Sequence, residues 1–384
     1  HGVRLSGEAR QTIIELAGRF RAGGQLPGPA VDLAERVART HRREGVEVAS
    51  EDRPLLQPRH VLEAFASQTG LPIELLDTEA EYSVESVRDF FESQIFAQPE
   101  AIEAMIDLVT IIRAGLNPPG RPIGSYMFLG PTGVGKTQTA LTLAEYLFGS
   151  PDRLLRFDMS EYQDGWSAGR LVGRYSEEQG ELVRRVREQP FQVLLLDEIE
   201  KAHSSVYDLL LQVLGEGRLT DAMGQTVPMT GTVIIMTSNL GSEGPGSLGF
   251  GAPGDRTAEH QQHYRSAVED YFRPEFVGRV DRIIPFRSLR RGTARKLVRR
   301  ALEEAFSREG LRRRSIDVRA TDEVIDYLIR VGFDERYGAR PLQQVVENAI
   351  TAELADFLAR EGSVEDIELL FDMVDGVPEI QLDV

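Results

Sequence analysis

Between residues 124 and 148 the sequence leaves the backbone few choices. A strand-like apolar run, Tyr126–Leu129, leads into Gly130-Pro131-Thr132-Gly133-Val134-Gly135-Lys136-Thr137, and a helix-forming run, Gln138–Phe148, follows. The octet fits G-x-x-x-x-G-K-[ST], and a strand before it and a helix after it are the context this pattern requires. Backbone N–H groups of such a loop wrap phosphates, Lys136 reaches the terminal phosphates and Thr137 holds Mg²⁺. Further along, the apolar run Val193–Leu196 delivers two adjacent carboxylates, Asp197 and Glu198, at its C-terminal end. Strands buried in open α/β sheets read this way, and their C-terminal tips are where such sheets bind ligands. The two segments together imply nucleoside triphosphate chemistry.

Bulk properties remove several alternatives. The chain of 384 residues accommodates one to three domains and a sizeable core. Acidic residues outnumber basic ones, 61 to 44, for a net charge of −17, which argues against nucleic acid as the main partner. Cysteine is absent, which excludes disulfides and thiolate metal sites and makes the cytoplasm the expected compartment. No apolar run approaches the roughly 18–20 residues of a membrane span, and no signal peptide is visible, so no membrane role is expected. The first residue is His1 rather than Met, as expected of a piece of something longer.

Four regions are expected along the chain. Residues 1–49 carry two helical periodicities around a Gly/Pro-rich break, and read as the helical end of a preceding domain. Residues 50–81 are polar, with Pro54, Pro58 and Pro72, and read as a linker with short helical pieces. Residues 82–288 open with helices, the second starting at Pro99 and stopped by Asn117-Pro118-Pro119-Gly120. They then alternate strand and helix, with strands at 126–129, 154–158, 191–196 and 233–237. That alternation predicts a doubly wound, mostly parallel sheet. Residues 289–384 turn helical (293–308, 322–331, 342–360) and end in a strand pair around Asp375-Gly376-Val377-Pro378.

The chemistry-bearing residues divide the work. Asp197 orients the Mg²⁺ shell with Thr137, and Glu198 polarises the attacking water as general base. Thr237-Ser238-Asn239 ends an apolar strand, which suits Asn239 to positioning that water or sensing the γ-phosphate. Arg273 to Asp281 includes Arg279, open to two readings: a guanidinium presented to a neighbouring subunit's phosphates, or a surface ion pair. Arg340, in Gly338-Ala339-Arg340, either reaches back over the nucleotide or simply opens a helix. His203 reads as a turn cap without metal-ligand companions, and Trp166 as local packing.

Taken in order, these motifs resemble the AAA+ ATPases, and the finer text resembles the second ATPase module of the Clp family (ClpA, ClpB, ClpC). The resemblance rests on Phe157-Asp158-Met159-Ser160-Glu161-Tyr162, Arg170-Leu171-Val172-Gly173, Gly217-Arg218-Leu219-Thr220-Asp221 and Gly338-Ala339-Arg340-Pro341-Leu342, and covers roughly 82–384. It implies an α/β P-loop NTPase fold of the AAA+ type, with a doubly wound parallel sheet followed by a smaller, mostly helical C-terminal domain. It implies ATP and Mg²⁺ as cofactors, Arg279 as the finger, Arg340 as the small-domain sensor, and Ile95 and Phe96 in the adenine pocket. Ala97-Gln98 departs from the usual Gly-Gln there. Family members form hexameric rings that thread protein substrates through a central pore.

Two loops bear on partners. Clp second modules carry Gly-Tyr-Val-Gly after Arg-Leu-Val-Gly, whereas residues 173–180 here are short and polar with Tyr175 the sole aromatic. An ATP-binding scaffold without threading activity is therefore the competing expectation, and a nucleic-acid motor the weaker one. Leu248-Gly249-Phe250, in a glycine-rich loop, resembles the tripeptide with which ClpA- and ClpC-type proteins dock a ClpP-like peptidase.

Overall fold

The structure, a computed structural model, describes residues 2–20, 26–41, 53–77, 82–173, 179–242, 257–335, 337–362 and 364–382. The N-terminal part pairs strand β1 (Arg4–Leu5) in parallel with β2 (Leu55–Leu56). Around them lie helices α1 (Gly7–Arg19), α2 (Gly28–Thr40), α3 (Pro58–Thr69) and α4 (Ile73–Leu76). Within the stretch expected to be a linker with short helical pieces, α3 and α4 pack into this part. Pro58 opens α3 at its first turn, where a missing N–H costs nothing, and Val61, Leu62 and Phe65 are buried. The rings of Phe20, Phe65 and Phe191 cluster with centroids 5.4–6.1 Å apart, joining this part to the sheet region.

Next come α5 (Val84–Gln94), α6 (Pro99–Ala114), β3 (Gly124–Leu129), α7 (Lys136–Phe148) and β4 (Leu154–Asp158). They are followed by α8 (Ser167–Val172), α9 (Glu181–Glu188), β5 (Gln192–Asp197) and α10 (Ser204–Glu216). A small antiparallel ribbon, β6 (Arg218–Thr220) with β7 (Thr226–Pro228), precedes β8 (Thr232–Ser238). Then α11 (Thr257–Tyr271), α12 (Pro274–Val277) and β9 (Arg282–Pro285) complete the region. The main sheet has the order β4-β5-β8-β3-β9, and all its pairings are parallel.

Why its strands read as continuous apolar runs is visible in the burial. Successive side chains point to opposite faces. Tyr126, Phe128, Val193, Leu195, Val233 and Ile235 enter one core. Met127, Leu129, Leu194, Leu196, Ile234 and Met236 enter another on the far side. A strand covered on both faces has no polar side to alternate with. Strand β9 was not expected from the sequence; it is short, lies at the sheet edge, and begins with Arg282 beside Asp281.

The C-terminal part has its own core, including Val298, Leu328, Leu342, Ile350 and Phe371. Its elements are α13 (Arg291–Phe306), α14 (Glu309–Arg312), β10 (Asp317–Ala320), α15 (Asp322–Gly332), α16 (Arg340–Val346) and α17 (Ala352–Glu361). Strands β11 (Glu368–Val374) and β12 (Val377–Leu382) close the chain as the expected antiparallel pair, and β10 adds a third, parallel strand. The helix expected over 342–360 is interrupted by a π-helical turn, Glu347–Thr351. Leu342, Val346, Ile350 and Leu354 are all buried at a spacing of four. That spacing drifts around a 3.6-residue helix, and the wider turn absorbs the excess. Among the described residues, no helix is long and apolar enough to cross a membrane.

Candidate nucleotide site

The tips of β3, β5 and β8 open onto one cavity of about 500 Å³, closed from above by the C-terminal part. Thr132–Gln138, Asp197, Glu198, Thr237 and Asn239 form its polar end. The loop after β3 passes into α7 with Gly135 at the cap, so the free N–H groups of that helix start point into an anion-binding position. Ile95, Phe96, Leu289, Leu297 and Leu342 form an apolar end, suited to a flat base. Arg340 lines the same cavity, is exposed, and has no hydrogen bond or ion pair among the described residues.

At the polar end, Lys136 Nζ donates to Asn239 Oδ1 at 2.9 Å, to the Pro131 carbonyl at 3.0 Å and to the Gly130 carbonyl. Burial pushes its ammonium down to about 8, and Asp197, Glu200 and Glu198 only partly offset this. A cation desolvated against carbonyls and carboxylates is poised for an incoming anion. Thr237 Oγ1 donates to Asp197 and accepts the Glu198 N–H at 3.1 Å, so one hydroxyl braces both acids. Arg156, reaching from β4, donates to Asp197 at 2.6 Å. Glu198 itself has a left-handed backbone, φ +55°, a conformation that costs a non-glycine residue about 1–2 kcal/mol. Such strain concentrates at functional sites.

Thr137 and Asp197 supply hard oxygen donors on the same cavity. No cluster of three or more potential metal-ligating side chains occurs among the described residues. The pair fits Mg²⁺, which takes one or two protein oxygens and completes its shell with substrate phosphates and water.

The C-terminal part touches the phosphate loop directly. The Ala339 N–H donates to the Gly133 carbonyl at 2.9 Å. A Cβ on Gly133 would lie 2.4 Å from the Tyr337 carbonyl oxygen, and one on Gly338 would lie 2.5 Å from the Gly133 oxygen. Arg300 of α13, lining the cavity, donates to the Gln94 carbonyl beside Ile95. Gln98, two residues past Phe96, is buried; it donates to the carbonyls of Val134 at 3.0 Å and Arg287 at 2.9 Å and accepts the Arg287 N–H at 2.8 Å. Ala97, just before it, has φ +59°, which explains why glycine suits that position better.

Sequence reasoning brought the loop Gly130–Thr137, Asp197, Glu198, Asn239, Ile95, Phe96 and Arg340 to one cavity; the structure gathers Thr132–Thr137 and the other six there, while Gly130 and Pro131 do not line it. Arg279 is elsewhere: exposed, and donating to the Leu211 carbonyl of its own chain. Tyr175 and Leu248-Gly249-Phe250 lie outside the described residues. Missed by the sequence reading were Arg156, Glu200 and Arg300. The first interrupts an apolar strand, Leu-Leu-Arg-Phe-Asp, which is a usable signal; Arg300 sits in a helix rich in arginines and gives none.

Fold and site define a P-loop nucleoside triphosphatase of the AAA+ type. Residues 121–283 match the family described as AAA domain (Cdc48 subfamily), and residues 289–369 match the C-terminal, D2-small domain of ClpB protein. Chaperone protein ClpB 2 of Nostoc sp. is 37% identical over 360 residues, covering 91% of this chain and 41% of the relative. ATP-dependent Clp protease ATP-binding subunit ClpE of Bacillus subtilis is 32% identical, covering 97% of this chain and 60% of the relative. A closed-state cryo-electron-microscopy reconstruction of Hsp104 with ATPγS and FITC-casein superposes with a TM-score of 0.80 at 30% identity, covering 100% of this chain and 65% of that one. The chain belongs to the Clp family of AAA+ ATPases. It spans about two fifths of the length of its ClpB relatives.

Proposed function

We propose that the chain hydrolyses ATP and that the cycle drives remodelling or unfolding of protein substrates by a hexameric ring in the cytoplasm. The observation that carries this reading is the single cavity shared by the phosphate loop, the Asp197–Glu198 pair, Asn239 and the C-terminal part. Lys136 and the backbone of Gly130–Thr137 hold the phosphates. Thr137 and Asp197 hold Mg²⁺, which when bound neutralises charge building on the phosphates. Glu198 takes the proton of the attacking water, and Asn239 orients that water toward the terminal phosphorus. Arg340 reports nucleotide state to the C-terminal part. Arg279 is exposed and is not among the residues lining its own cavity, which supports reading it as a finger for a neighbour.

The rival is a scaffold in which ATP only assembles the ring, motivated by the short polar loop 173–180. Measuring ATP hydrolysis with and without an unfolded protein, alongside loss of signal from a folded fluorescent reporter, separates the two. Remodelling requires stimulated hydrolysis and signal loss; hydrolysis indifferent to substrate with an intact reporter favours the scaffold. A ClpP-like peptidase partner is supported by Leu248-Gly249-Phe250, and its test is co-sedimentation before and after Phe250→Ala.

A further inference from the structure

We propose that Glu200 is a positioning residue for ATP turnover: its side chain holds the main chain of Asn239 and so fixes where the Asn239 amide stands. This rests on the reading above, in which Asn239 orients the attacking water.

Strand β8 ends at Ser238, which pairs with Leu129. Asn239 is therefore the first residue beyond the ladder, and its N–H needs another acceptor. Glu200 Oε1 supplies it at 3.1 Å. Glu200 is itself anchored. It lies in the 3-10 turn Ile199–Lys201, closed by the Lys201 N–H on the Glu198 carbonyl at 2.9 Å. Its own carbonyl accepts Tyr271 Oη at 2.5 Å. The side chain thus spans from the turn that carries Glu198 to the strand end that carries Asn239. From there the Asn239 Oδ1 meets Lys136 Nζ at 2.9 Å. General base, water-orienting amide and phosphate-binding ammonium are linked through one carboxyl group.

The second oxygen, Glu200 Oε2, is buried with no hydrogen-bond partner among the described residues. An aliphatic residue here would avoid that cost, since an unmade bond at a buried polar atom is expensive. A carboxyl kept in place despite it is the kind of local disadvantage that proteins accept at working sites.

The test compares steady-state ATP turnover of Glu200→Asp, Glu200→Gln, Asn239→Ala and the double variant Glu200→Asp/Asn239→Ala. Aspartate keeps the acid but withdraws the acceptor by one methylene, so kcat should fall roughly 10- to 100-fold while KM for ATP stays within about threefold. Glutamine retains an acceptor oxygen at the right reach and should recover most of the turnover that aspartate loses. Because Glu200 acts through Asn239, the double variant should be no slower than Asn239→Ala alone. Unchanged kcat in Glu200→Asp, equal losses in the two Glu200 variants, or losses that multiply in the double variant would each overturn the assignment. Glu198→Gln is the separating control. A parent chain that turns ATP over no faster than that variant defeats the hydrolytic reading itself and this role with it, whereas an active parent and a dead Glu198→Gln beside an unaffected Glu200 series defeat the positioning role alone.

Discussion

Gly133 and Ala339 are joined by a backbone hydrogen bond of 2.9 Å that ties the phosphate loop to the turn opening α16. The contact leaves no room for a side chain: the Tyr337 carbonyl oxygen would stand 2.4 Å from a Cβ on Gly133, whose φ is +76°. At this point the phosphate loop and the C-terminal part are therefore joined main chain to main chain.

Substituting either glycine should break that connection. Gly133→Ala and Gly338→Ala are each expected to cost about 1–3 kcal/mol, from backbone strain and overpacking. Thermal unfolding followed with and without ATP would register a lower midpoint and a smaller stabilisation by nucleotide. A Gly133→Ala protein as stable and as strongly stabilised as the parent would contradict the geometry.

Ala97 offers the opposite experiment. Its φ of +59° costs an L-residue about 1 kcal/mol, which glycine avoids. Glycine also loosens the unfolded chain, taking back roughly 0.4–1 kcal/mol. Ala97→Gly should thus raise the denaturant midpoint slightly or leave it unchanged. A clear drop would mean the methyl group contributes packing that outweighs its strain.

Replacing Glu198 by glutamine removes the proposed proton acceptor and retains the shape. ATP affinity should persist while turnover falls roughly 10²- to 10⁴-fold. Equilibrium nucleotide binding and single-turnover hydrolysis, measured on the same preparation, separate the two effects. Hydrolysis at the parent rate would remove Glu198 from its role.

Lys136 makes the site responsive to pH. Its folded value, about 8, lies below the ordinary 10.5 because the ammonium is buried. Below pH 8 both folded and unfolded chains carry the proton, and the desolvation cost is fully present. Between about 8 and 10.5 the unfolded chain binds more protons, so this residue's contribution to stability rises with pH. Lys136→Met should flatten that rise. Incoming phosphates favour the charged form, so ATP binding above pH 8 should take up protons. Titration calorimetry in buffers of different ionisation enthalpy reads that uptake, and its absence would place the ammonium away from the phosphates.

Much of the site could be read before the fold was known, because phosphate binding demands residue types at fixed local spacing. Gly130 to Thr137 and the Asp197–Glu198 pair are such local signals, and the three central strands, β3, β5 and β8, announced themselves through burial on both faces. What escaped depends on contacts distant in sequence. Arg156 meets Asp197 across 41 residues and Glu200 meets Asn239 across 39, and neither separation has a periodic signature. Strands β9 and β10 are four residues each, with charged residues at their starts, so alternation had no length over which to register.

The aromatic trio of Phe20, Phe65 and Phe191 has a practical bearing on how this polypeptide can be divided. Phe191 directly precedes β5, whereas its two companions come from α3 and the end of α1. Trimming back to residue 82 would strip both partners away and bare an oily spot beside the ATP-handling sheet. A shortened version would be sticky, and its poor behaviour would reflect the choice of cut rather than any weakness of the catalytic core.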